Sequence, residues 1–310
     1  MNQLVSIIIT TYGDNPNIVK AVDSCLSQTY KNIEIIVVDD NGVNTKNQII
    51  TYNILKEYIE RNQIIYIAHD VNKNASTARN TGIKRAKGRF ISLLDGDDLY
   101  YERKIEEQMT AFENLSEDYG LVYCTLKDVL EDGAVEIHPA KADGFVLYDL
   151  LMMNISVCTS NIMVRKEYLE KIKGFDESFA RHQDWEMLAR LATVCKFYGI
   201  PYIGTLKKSR YVTKRFNAEK SEIFRKHYWK TISKVMNNLS EKEQNLIWSH
   251  EYNEVAKLFF RAKNFKKVMF YIKKSKRPQD FVYALLTKPF RNIKIKINKK
   301  RNVPRIVWGW

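Results

Sequence analysis

The sequence contains few cysteines and no long apolar run. Its four cysteines stand apart with no C-x-x-C pair, a pattern that disfavours a disulfide framework or a zinc site and suits a reducing compartment. Glycine accounts for 12 residues and proline for 6 of 310, which disfavours collagen-like and disordered chains. No apolar run approaches the roughly 18 residues of a membrane-spanning helix, and no basic segment precedes the first apolar run. These absences predict a globular protein of the cytosol.

Acidic residues are scarce in the last third of the chain. Residues 1–200 carry 22 Lys or Arg and 29 Asp or Glu, whereas residues 201–310 carry 28 and 7. The net charge of +14 therefore combines an acidic first part with a strongly basic second part. Two charge characters in one chain indicate two surfaces with different partners.

Short apolar runs rich in branched residues alternate with helical stretches over the first hundred residues. The runs are residues 5–9, 33–38, 64–67 and 90–94. Such runs are typical of strands buried on both faces. Because apolar side chains recur at helical spacing between them, the order is βαβαβαβ, which implies a mostly parallel sheet with helices on both faces.

Beyond residue 120 the pattern is mixed at first and then helical. Strand-like runs at 121–125 and 161–164 precede an apolar-periodic helix at 185–191, and the chain after about residue 215 is helical and basic. We therefore predict an α/β domain over residues 1–215 and a smaller, mainly helical basic region over residues 216–310.

Acidic residues follow two of the predicted strands. Asp39 and Asp40 come directly after the second apolar run, and Asp95, Asp97 and Asp98 come after the fourth. In sheets of this type ligands bind outside the carboxyl ends of the strands, where the winding changes direction. Five carboxylates at neighbouring strand ends repel one another, so a metal, an opposing charge or bound donor groups must compensate them.

Asp95 and Asp97 are separated by a single glycine. Two carboxylates at this spacing can place oxygens on one Mg²⁺ or Mn²⁺ ion and leave most of its coordination sphere open for phosphate oxygens. Such an ion neutralises charge on a diphosphate leaving group. A solvated acidic turn before the next helix is the alternative interpretation.

The pair Asp39-Asp40 suggests recognition of a base. A carboxylate at this strand end can accept a hydrogen bond from a ring N–H, which suits a pyrimidine such as uracil. An Asx turn beside Asn41-Gly42 is one alternative. Phosphoacceptor receiver domains, which carry acids at strand ends around a magnesium ion, are another, but they would not need the rest of this chain.

Several individually weak motifs occur in the order and spacing of one family. They are the run 5–12, Gln28, the acids 39–40, the Ala78-Arg-Asn80 segment with Gly82, the acidic turn 94–98, and the segments 174–177 and 183–186. Together they resemble the family 2 glycosyltransferases, which have the GT-A fold, from about residue 4 to residue 215. The resemblance implies a Rossmann-like GT-A domain that transfers a sugar from a nucleotide donor.

The resemblance also implies roles for individual residues on the donor side. Thr10 and Tyr12 match positions that touch the nucleoside, and Tyr12 would lie against the base. Asp40 matches the acid that pairs with uracil, and Asp39 would support it. Arg79 matches a basic position near the donor.

The same resemblance assigns the metal and the general base. Asp95 matches the acid that faces the ribose and the metal, and Asp97 matches the principal metal ligand. Asp184 matches the general base, which a sugar hydroxyl needs because it is a poor nucleophile. Attack opposite the departing nucleotide inverts the configuration. Gln183 stands where the family usually has another acid, so the acceptor contacts depart from the family pattern.

Basic residues after the predicted domain and one histidine complete the candidate site. Lys207, Lys208, Arg210 and the pair Lys214-Arg215 offer cations that could close over a diphosphate. A solvated basic edge is the alternative. His182, two residues before the predicted base, is either an acceptor contact or an exposed loop residue.

The C-terminal tail is basic and ends in two tryptophans. Residues 288–305 hold eight Lys or Arg and no acid. Cations near an anionic leaflet and tryptophans in the headgroup zone favour peripheral attachment of residues 288–310 to the inner membrane face. An anionic partner protein or contacts within a homo-oligomer are the alternatives. Zinc-finger, RNP and helix-turn-helix patterns are absent, so nucleic acid is not an expected partner.

We therefore predict an inverting glycosyltransferase that depends on Mn²⁺ or Mg²⁺. It would move a sugar from a nucleotide-sugar donor to a hydroxyl of a glycan, glycolipid or glycoprotein. Because the Asp40 carboxylate suits a uracil ring, we expect the donor to be UDP-linked. A sugar nucleotidyltransferase is the first alternative, but residues 10–14 lack the glycine-rich phosphate loop that it would need. A non-enzymatic binder of anionic surfaces is the second, and it leaves the acidic strand ends unexplained.

Overall fold

The computed structural model describes residues 3–208, 217–282 and 304–307. Its first part alternates strands and helices as predicted. The elements are β1 (Val5–Thr11), α1 (Ile18–Leu26), β2 (Ile33–Asp39), α2 (Lys46–Glu60), β3 (Ile65–Ala68), α3 (Ala75–Arg85), β4 (Phe90–Asp95), β5 (Leu99–Tyr100) and α4 (Lys104–Glu113).

The second part of the chain is mixed and ends in three helices and a short strand. The elements are β6 (Tyr119–Val129), β7 (Val135–His138), β8 (Asp143–Gly144), α5 (Leu147–Leu151), β9 (Ile162–Arg165), α6 (Lys166–Lys171), α7 (Gln183–Leu191), β10 (Lys196–Lys207), α8 (Ala218–Val235), α9 (Glu241–Arg261), α10 (Phe265–Ser275) and β11 (Arg305–Ile306). Single 3-10 turns cover Thr159–Asn161 and Met236–Asn238.

Four parallel strands form one half of the sheet, in the order β3-β2-β1-β4. Because β1 lies between β2 and β4, the chain winds outward to β3 and then returns to the other side of β1. Thr11 pairs with Asp39 and Thr10 with Asp95, which aligns the carboxyl ends of the three central strands. The predicted α/β sheet is confirmed, and its winding changes direction at β1, where ligands of such sheets bind.

The other half of the sheet is mostly antiparallel. β9 runs antiparallel to both β4 and β6, and β7 runs antiparallel to β6. β10 lies parallel to β6 and antiparallel to β5, so the strand that ends at Lys207 lies beside the turn that follows β4. β11 adds to β7, which brings residues 305–306 back to the sheet.

The sheet has an apolar core on each face, as helices on both sides require. Alternate residues of β1 serve the two cores, with Ile8 on one face and Ile7 and Ile9 on the other. Gly82 of α3 lies against β1 so closely that a Cβ there would stand 2.3 Å from Ile8 Cγ2. The missing side chain lets the N-terminal half of α3 reach the edge where β1 ends.

The helices after residue 217 are joined to the α/β part by a shared core. Tyr228 and Ile232 of α8 belong to the same apolar cluster as Leu188 of α7. Phe259 of α9 and Tyr271 of α10 centre a separate, smaller cluster. α9 and α10 form a helical hairpin whose turn includes Lys263 and Asn264. The division of the chain at residue 215 stays a prediction.

Two features of the chain concern the predicted contact with a membrane. Among the helices of the described residues, none has both the length and the apolar character that crossing a bilayer requires. Within the basic tail 288–310, the structure describes only residues 304–307.

Lys104 is an unusual member of the core. Its side chain is fully buried at the start of α4, where Nζ donates to Ser92 Oγ and to Gln108 Oε1, both at 2.9 Å. Nζ also lies 3.9 Å from the centre of the Tyr100 ring. Burial lowers the pKa of Lys104 to about 8.

We expect Lys104 to make the free energy of unfolding depend on pH. The unfolded chain keeps this proton up to the ordinary pKa of 10.5, whereas the folded protein releases it near pH 8. The stability of the wild type relative to Lys104→Met should therefore rise between these values, by at most ~1.4 kcal/mol per pH unit. Urea unfolding from pH 7.5 to 10.5 measures it. Parallel curves of unfolding free energy against pH for the wild type and Lys104→Met would contradict this expectation. The variant Lys56→Met, at an exposed lysine, is the control.

Candidate active site

A cleft of about 480 Å³ opens at the carboxyl ends of β1, β2 and β4. The start of α3 closes one side, and the turn after β4 closes another. Most of the residues predicted for the donor site line it together: Thr10, Tyr12, Asp40, Arg79, Asp95 and Asp97. The winding of the sheet thus brings together residues up to 87 positions apart in the sequence.

The Asp40 carboxylate is held in one orientation by three donors. His69 Nδ1 lies 2.7 Å from Oδ1, the Lys73 backbone N–H donates to Oδ1 at 2.8 Å, and Asn72 Nδ2 donates to Oδ2 at 2.7 Å. His69 Nε2 is in turn 2.9 Å from Thr81 Oγ1. Sequence reasoning missed His69, although its place directly after β3 was a signal, because that strand ends at the same edge of the sheet.

Asp39 lies behind the cleft wall and does not line it. Its carboxylate is fully buried and accepts hydrogen bonds from the Tyr66 hydroxyl at 2.7 Å and from the Asn41 backbone N–H at 2.9 Å. Burial raises the pKa of Asp39. The Asn41 side chain accepts a hydrogen bond from the Gly13 N–H at 2.7 Å. Asp39 therefore links the start of the loop after β2 to Tyr66 of β3, and Asn41 joins that loop to the one after β1.

Asp95 and Arg79 form an ion pair at the centre of the cleft. Arg79 Nη2 donates to Asp95 Oδ1 at 2.7 Å, and Thr159 Oγ1 donates to Oδ2 at 3.2 Å. Burial opposes ionisation of Asp95, but the charge and hydrogen bond of Arg79, together with Lys207 and Thr159, lower the pKa of this carboxyl. Arg79 Nη1 is buried and has no hydrogen-bond partner among the residues that the structure describes.

The acceptor-side segment reaches the cleft through Asn80. Asn80 Nδ2 donates to the Phe175 carbonyl, and Asn80 Oδ1 accepts from the Phe175 N–H, both at 2.9 Å. Gly174 precedes Phe175 with φ +66°, and a Cβ there would stand 2.5 Å from Asn80 Oδ1. The Phe175 ring lies 5.4 Å from the Arg79 guanidinium carbon. Two distant sequence motifs therefore meet and pack behind the ion pair.

The acidic residues of the turn after β4 differ in their exposure to solvent. Asp97 is exposed and lines the cleft. Asp98 is buried and accepts a hydrogen bond from Ser160 Oγ at 2.6 Å, and burial together with the Asp95 charge raises its pKa to about 7. Gly96 leaves no room for a side chain, since a Cβ would stand 2.8 Å from Asn15 Nδ2. The turn thus presents Asp95 and Asp97 and uses Asp98 to anchor itself.

Asp184 lies in the first turn of α7, beyond the lining of the cleft. Burial raises the pKa of its carboxyl, the charges of Arg79 and Lys207 lower it, and Asp95 raises it. These interactions place Asp184 within electrostatic reach of the central ion pair. The N-cap of α7 is His182, which has φ +61° and stacks on Trp185 with ring centres 4.4 Å apart. His182 is therefore a half-buried packing residue and not an exposed loop residue.

Lys207 at the end of β10 is the predicted cation that reaches this region. Its charge lowers the pKa values of Asp95, Asp98 and Asp184. Lys208 is exposed, and Arg210, Lys214 and Arg215 lie outside the described residues.

The fold and the cleft define an α/β protein with a carboxylate-lined cleft at the ends of its parallel strands. The model of the family described as "Glycosyl transferase family 2" matches residues 6–173, and the chain belongs to this family. The predicted family and its GT-A fold are therefore confirmed.

Curated relatives have glycosyltransferase names. An uncharacterized glycosyltransferase of Rickettsia prowazekii is 34% identical over 203 residues, which are 63% of this chain and 60% of that protein. The Escherichia coli UDP-Glc:alpha-D-GlcNAc-diphosphoundecaprenol beta-1,3-glucosyltransferase WfaP is 44% identical over 107 residues, 34% of this chain and 40% of that protein. In two further rickettsial relatives the match spans only 28% and 39% of their length.

Solved structures share the fold at low identity. Staphylococcus aureus TarS 1–349 in complex with UDP aligns with a TM-score of 0.58 and 14% identity, over 88% of this chain and 91% of that one. The mannosyltransferase PcManGT from Pyrobaculum calidifontis, in complex with GDP-Man and Mn²⁺, aligns with a TM-score of 0.58 and 16% identity, over 95% and 86%. These likenesses show the architecture alone.

We expect Arg79→Met to lower the free energy of unfolding by ~2 kcal/mol. Removing one partner of a buried ion pair leaves the other charge uncompensated, and the one-third exposure of the Asp95 side chain reduces the full penalty. Adding Asp95→Asn should recover part of the loss. Urea unfolding in a double-mutant cycle measures the coupling, and additive effects would contradict it. The exposed pair Lys56–Glu60 is the control and should couple by under ~0.5 kcal/mol.

Proposed function

We propose that this protein is an inverting, metal-dependent glycosyltransferase that uses a UDP-sugar. The observation that carries the proposal is the arrangement of carboxylates around one cleft. Asp40 stands on one side, Asp95 and Asp97 on the other, and Asp184 lies within electrostatic reach of Asp95. Such a transfer requires a residue that recognises the nucleobase, a pair of metal-binding carboxylates and a general base.

Asp40 and Tyr12 are suited to the nucleobase. Three donors fix the Asp40 carboxylate, so it can accept a hydrogen bond from the N–H of a uracil ring without having to reorient. Tyr12 is 66% exposed at the edge of the cleft and offers a ring face for stacking. Thr10 lines the cleft between them and Asp95, near the position of the ribose in this proposal.

The carboxylates present fit a divalent cation that is shared with the substrate. Within the described ranges, no three His, Cys, Asp or Glu side chains converge into a complete metal site. Mg²⁺ and Mn²⁺ bind through one or two carboxylates plus substrate phosphates, which is the donor set that Asp95 and the exposed Asp97 provide. When bound, the cation supplies neutralisation of the diphosphate charge.

Asp184 would act as the general base. It accepts the proton of the acceptor hydroxyl while that oxygen forms a bond to the anomeric carbon. The bond from this carbon to the diphosphate breaks on the opposite face, so the configuration inverts and the nucleoside diphosphate leaves. Burial raises the pKa of Asp184 and so makes its carboxylate a stronger base than an exposed one. Arg79 and Lys207 supply positive charge beside the departing diphosphate.

The acceptor and the cellular site belong to the same proposal. A hydroxyl of a glycan, glycolipid or glycoprotein is the acceptor, and the cytosol supplies the nucleotide sugar. Peripheral contact of residues 288–310 with an anionic membrane or a partner protein would bring the protein to a lipid-linked acceptor. The E. coli relative is named for a diphosphoundecaprenol acceptor, which supports the lipid-linked class.

We expect Asp184→Asn to lower kcat by ~10²–10⁴-fold, because the amide cannot accept the hydroxyl proton. UDP release from a panel of UDP-sugars with Mn²⁺ measures the rate, and calorimetry measures UDP affinity, which should not change. Glu60→Gln on α2 is the matched control. A variant with wild-type kcat would remove Asp184 from the mechanism.

We expect Asp97→Asn to abolish the effect of Mn²⁺ on UDP affinity. In the wild type, Mn²⁺ should tighten UDP binding at least tenfold, since the ion joins the Asp97 carboxylate to the diphosphate. Titration calorimetry with Mn²⁺ and with EDTA measures both proteins. Equal tightening in the variant, or none in the wild type, would contradict the metal assignment.

A further inference from the structure

The outer face of α10 exposes large apolar side chains. Phe265, Met269 and Phe270 are 60%, 53% and 50% exposed, while Val268 and Tyr271 on the inner face are buried against α9. Single exposed apolar residues are ordinary, but three on one face of an 11-residue helix are not. This face has no partner among the described residues.

The apolar surface continues onto the neighbouring helix. Phe260 of α9 is 41% exposed, and its ring centre lies 6.1 Å from that of Phe265 in an edge-to-face contact. We call Phe260, Phe265, Met269 and Phe270 the α10 patch. It is formed by both arms of the hairpin and is therefore held by the hairpin core beneath it.

Lysines lie within the same face. Helical spacing of four places Phe265, Met269 and Lys273 in one row and Lys266, Phe270 and Lys274 in the next. The three lysines are exposed, and Lys274 Nζ lies 5.0 Å from the centre of the Phe270 ring. From residue 255 to residue 279 the chain has nine Lys or Arg and no Asp or Glu. Three of these cations pair with acids outside that range, Lys257 with Glu254, Lys267 with Glu222 and Arg277 with Asp280. The exposed Lys266, Lys273 and Lys274 lie within the apolar face and give it a positive charge.

We propose that the α10 patch docks on an anionic lipid surface. The interspersed lysines would place their ammonium groups among headgroup phosphates while their stems and the aromatic rings enter the acyl boundary. Each Lys or Arg near such a surface adds favourable energy, and each buried apolar side chain adds more. The boundary between lipid headgroups and acyl chains can bind both the lysines and the apolar side chains of this face. A purely polar anionic polymer would bind the lysines alone.

Charge opposes two occupants that the chain itself could supply, a second copy of the patch and the basic tail. A second copy of the patch would bring Lys266, Lys273 and Lys274 against the same three exposed lysines. The tail segment 288–305 carries eight cations and no acid, so it is repelled as well. The exposed lysines of the face therefore favour an anionic partner. This inference does not rest on the proposed sugar transfer, since α10 is remote in sequence from every residue assigned to it.

Vesicle binding of the full chain tests the proposal. The protein should sediment with vesicles of phosphatidylcholine and 30% phosphatidylglycerol in 50 mM salt, and not with phosphatidylcholine alone. The variant Phe265→Ser, Met269→Ser, Phe270→Ser should bind at least tenfold more weakly. Its matched control is Ile49→Ser, Ile50→Ser, Ile54→Ser on α2, whose side chains are 48%, 37% and 37% exposed and should not matter. Wild-type binding of the α10 variant would overturn the proposal, whatever the tail contributes.

A second experiment tests the contribution of the lysine charges with glutamine variants on the same face. Lys266→Gln, Lys273→Gln and Lys274→Gln together should weaken binding roughly 100-fold, because each cation contributes about a factor of five at an anionic surface. Unchanged binding would overturn the proposal. Binding to heparin that is as strong as vesicle binding and insensitive to the serine variant would do the same, since it would identify a polar anionic partner.

An environment-sensitive label tests insertion directly. All four native cysteines are buried, so a cysteine introduced by Met269→Cys is the accessible thiol for an NBD fluorophore. Its emission should shift to the blue with anionic vesicles and not with neutral ones, while the same label at Ile49→Cys should not respond. A blue shift without vesicles would indicate a protein partner or self-association and would overturn the proposal, as would no shift at position 269.

Discussion

The Arg79–Asp95 ion pair is the interaction on which the candidate site depends. It joins the start of α3 to the end of β4 at the centre of the cleft, and both partners are largely removed from water. Its positive end packs on Phe175, and the same charge acts on Asp184. A single buried guanidinium thus acts on both carboxyls, and with Lys207 and Thr159 it lowers the pKa of Asp95.

Other contacts keep this pair in place. Gly82 allows α3 to lie directly on β1, and Asn80 holds the Gly174-Phe175 backbone through two hydrogen bonds. Asp98 anchors the acidic turn through Ser160, which leaves Asp97 facing the cleft. Residues that do not line the cleft, such as Gly82 and Asp98, therefore help to position those that do.

The C-terminal helices combine two kinds of surface. Their inner faces continue the core of the α/β part through Tyr228 and Ile232. The outer face of α10 carries aromatic side chains among lysines. A unit fixed to the catalytic fold on one side and adapted to an anionic surface on the other would set the orientation of the cleft with respect to that surface. The charge division of the sequence corresponds to this arrangement.

The sequence alone determined the parallel strands, the family and the cleft-lining acids, because buried strands need continuous apolar runs and a strand end is fixed by where its run stops. It did not reveal the support of Asp40 by His69, the burial of Asp39 behind the wall, or the pairing of Arg79 with Asp95. Those contacts join residues from separate strands and helices, and only chain winding brings them within hydrogen-bonding distance. The exposed face of α10 was likewise decided by tertiary packing, since the helix pattern alone does not say which side finds a partner.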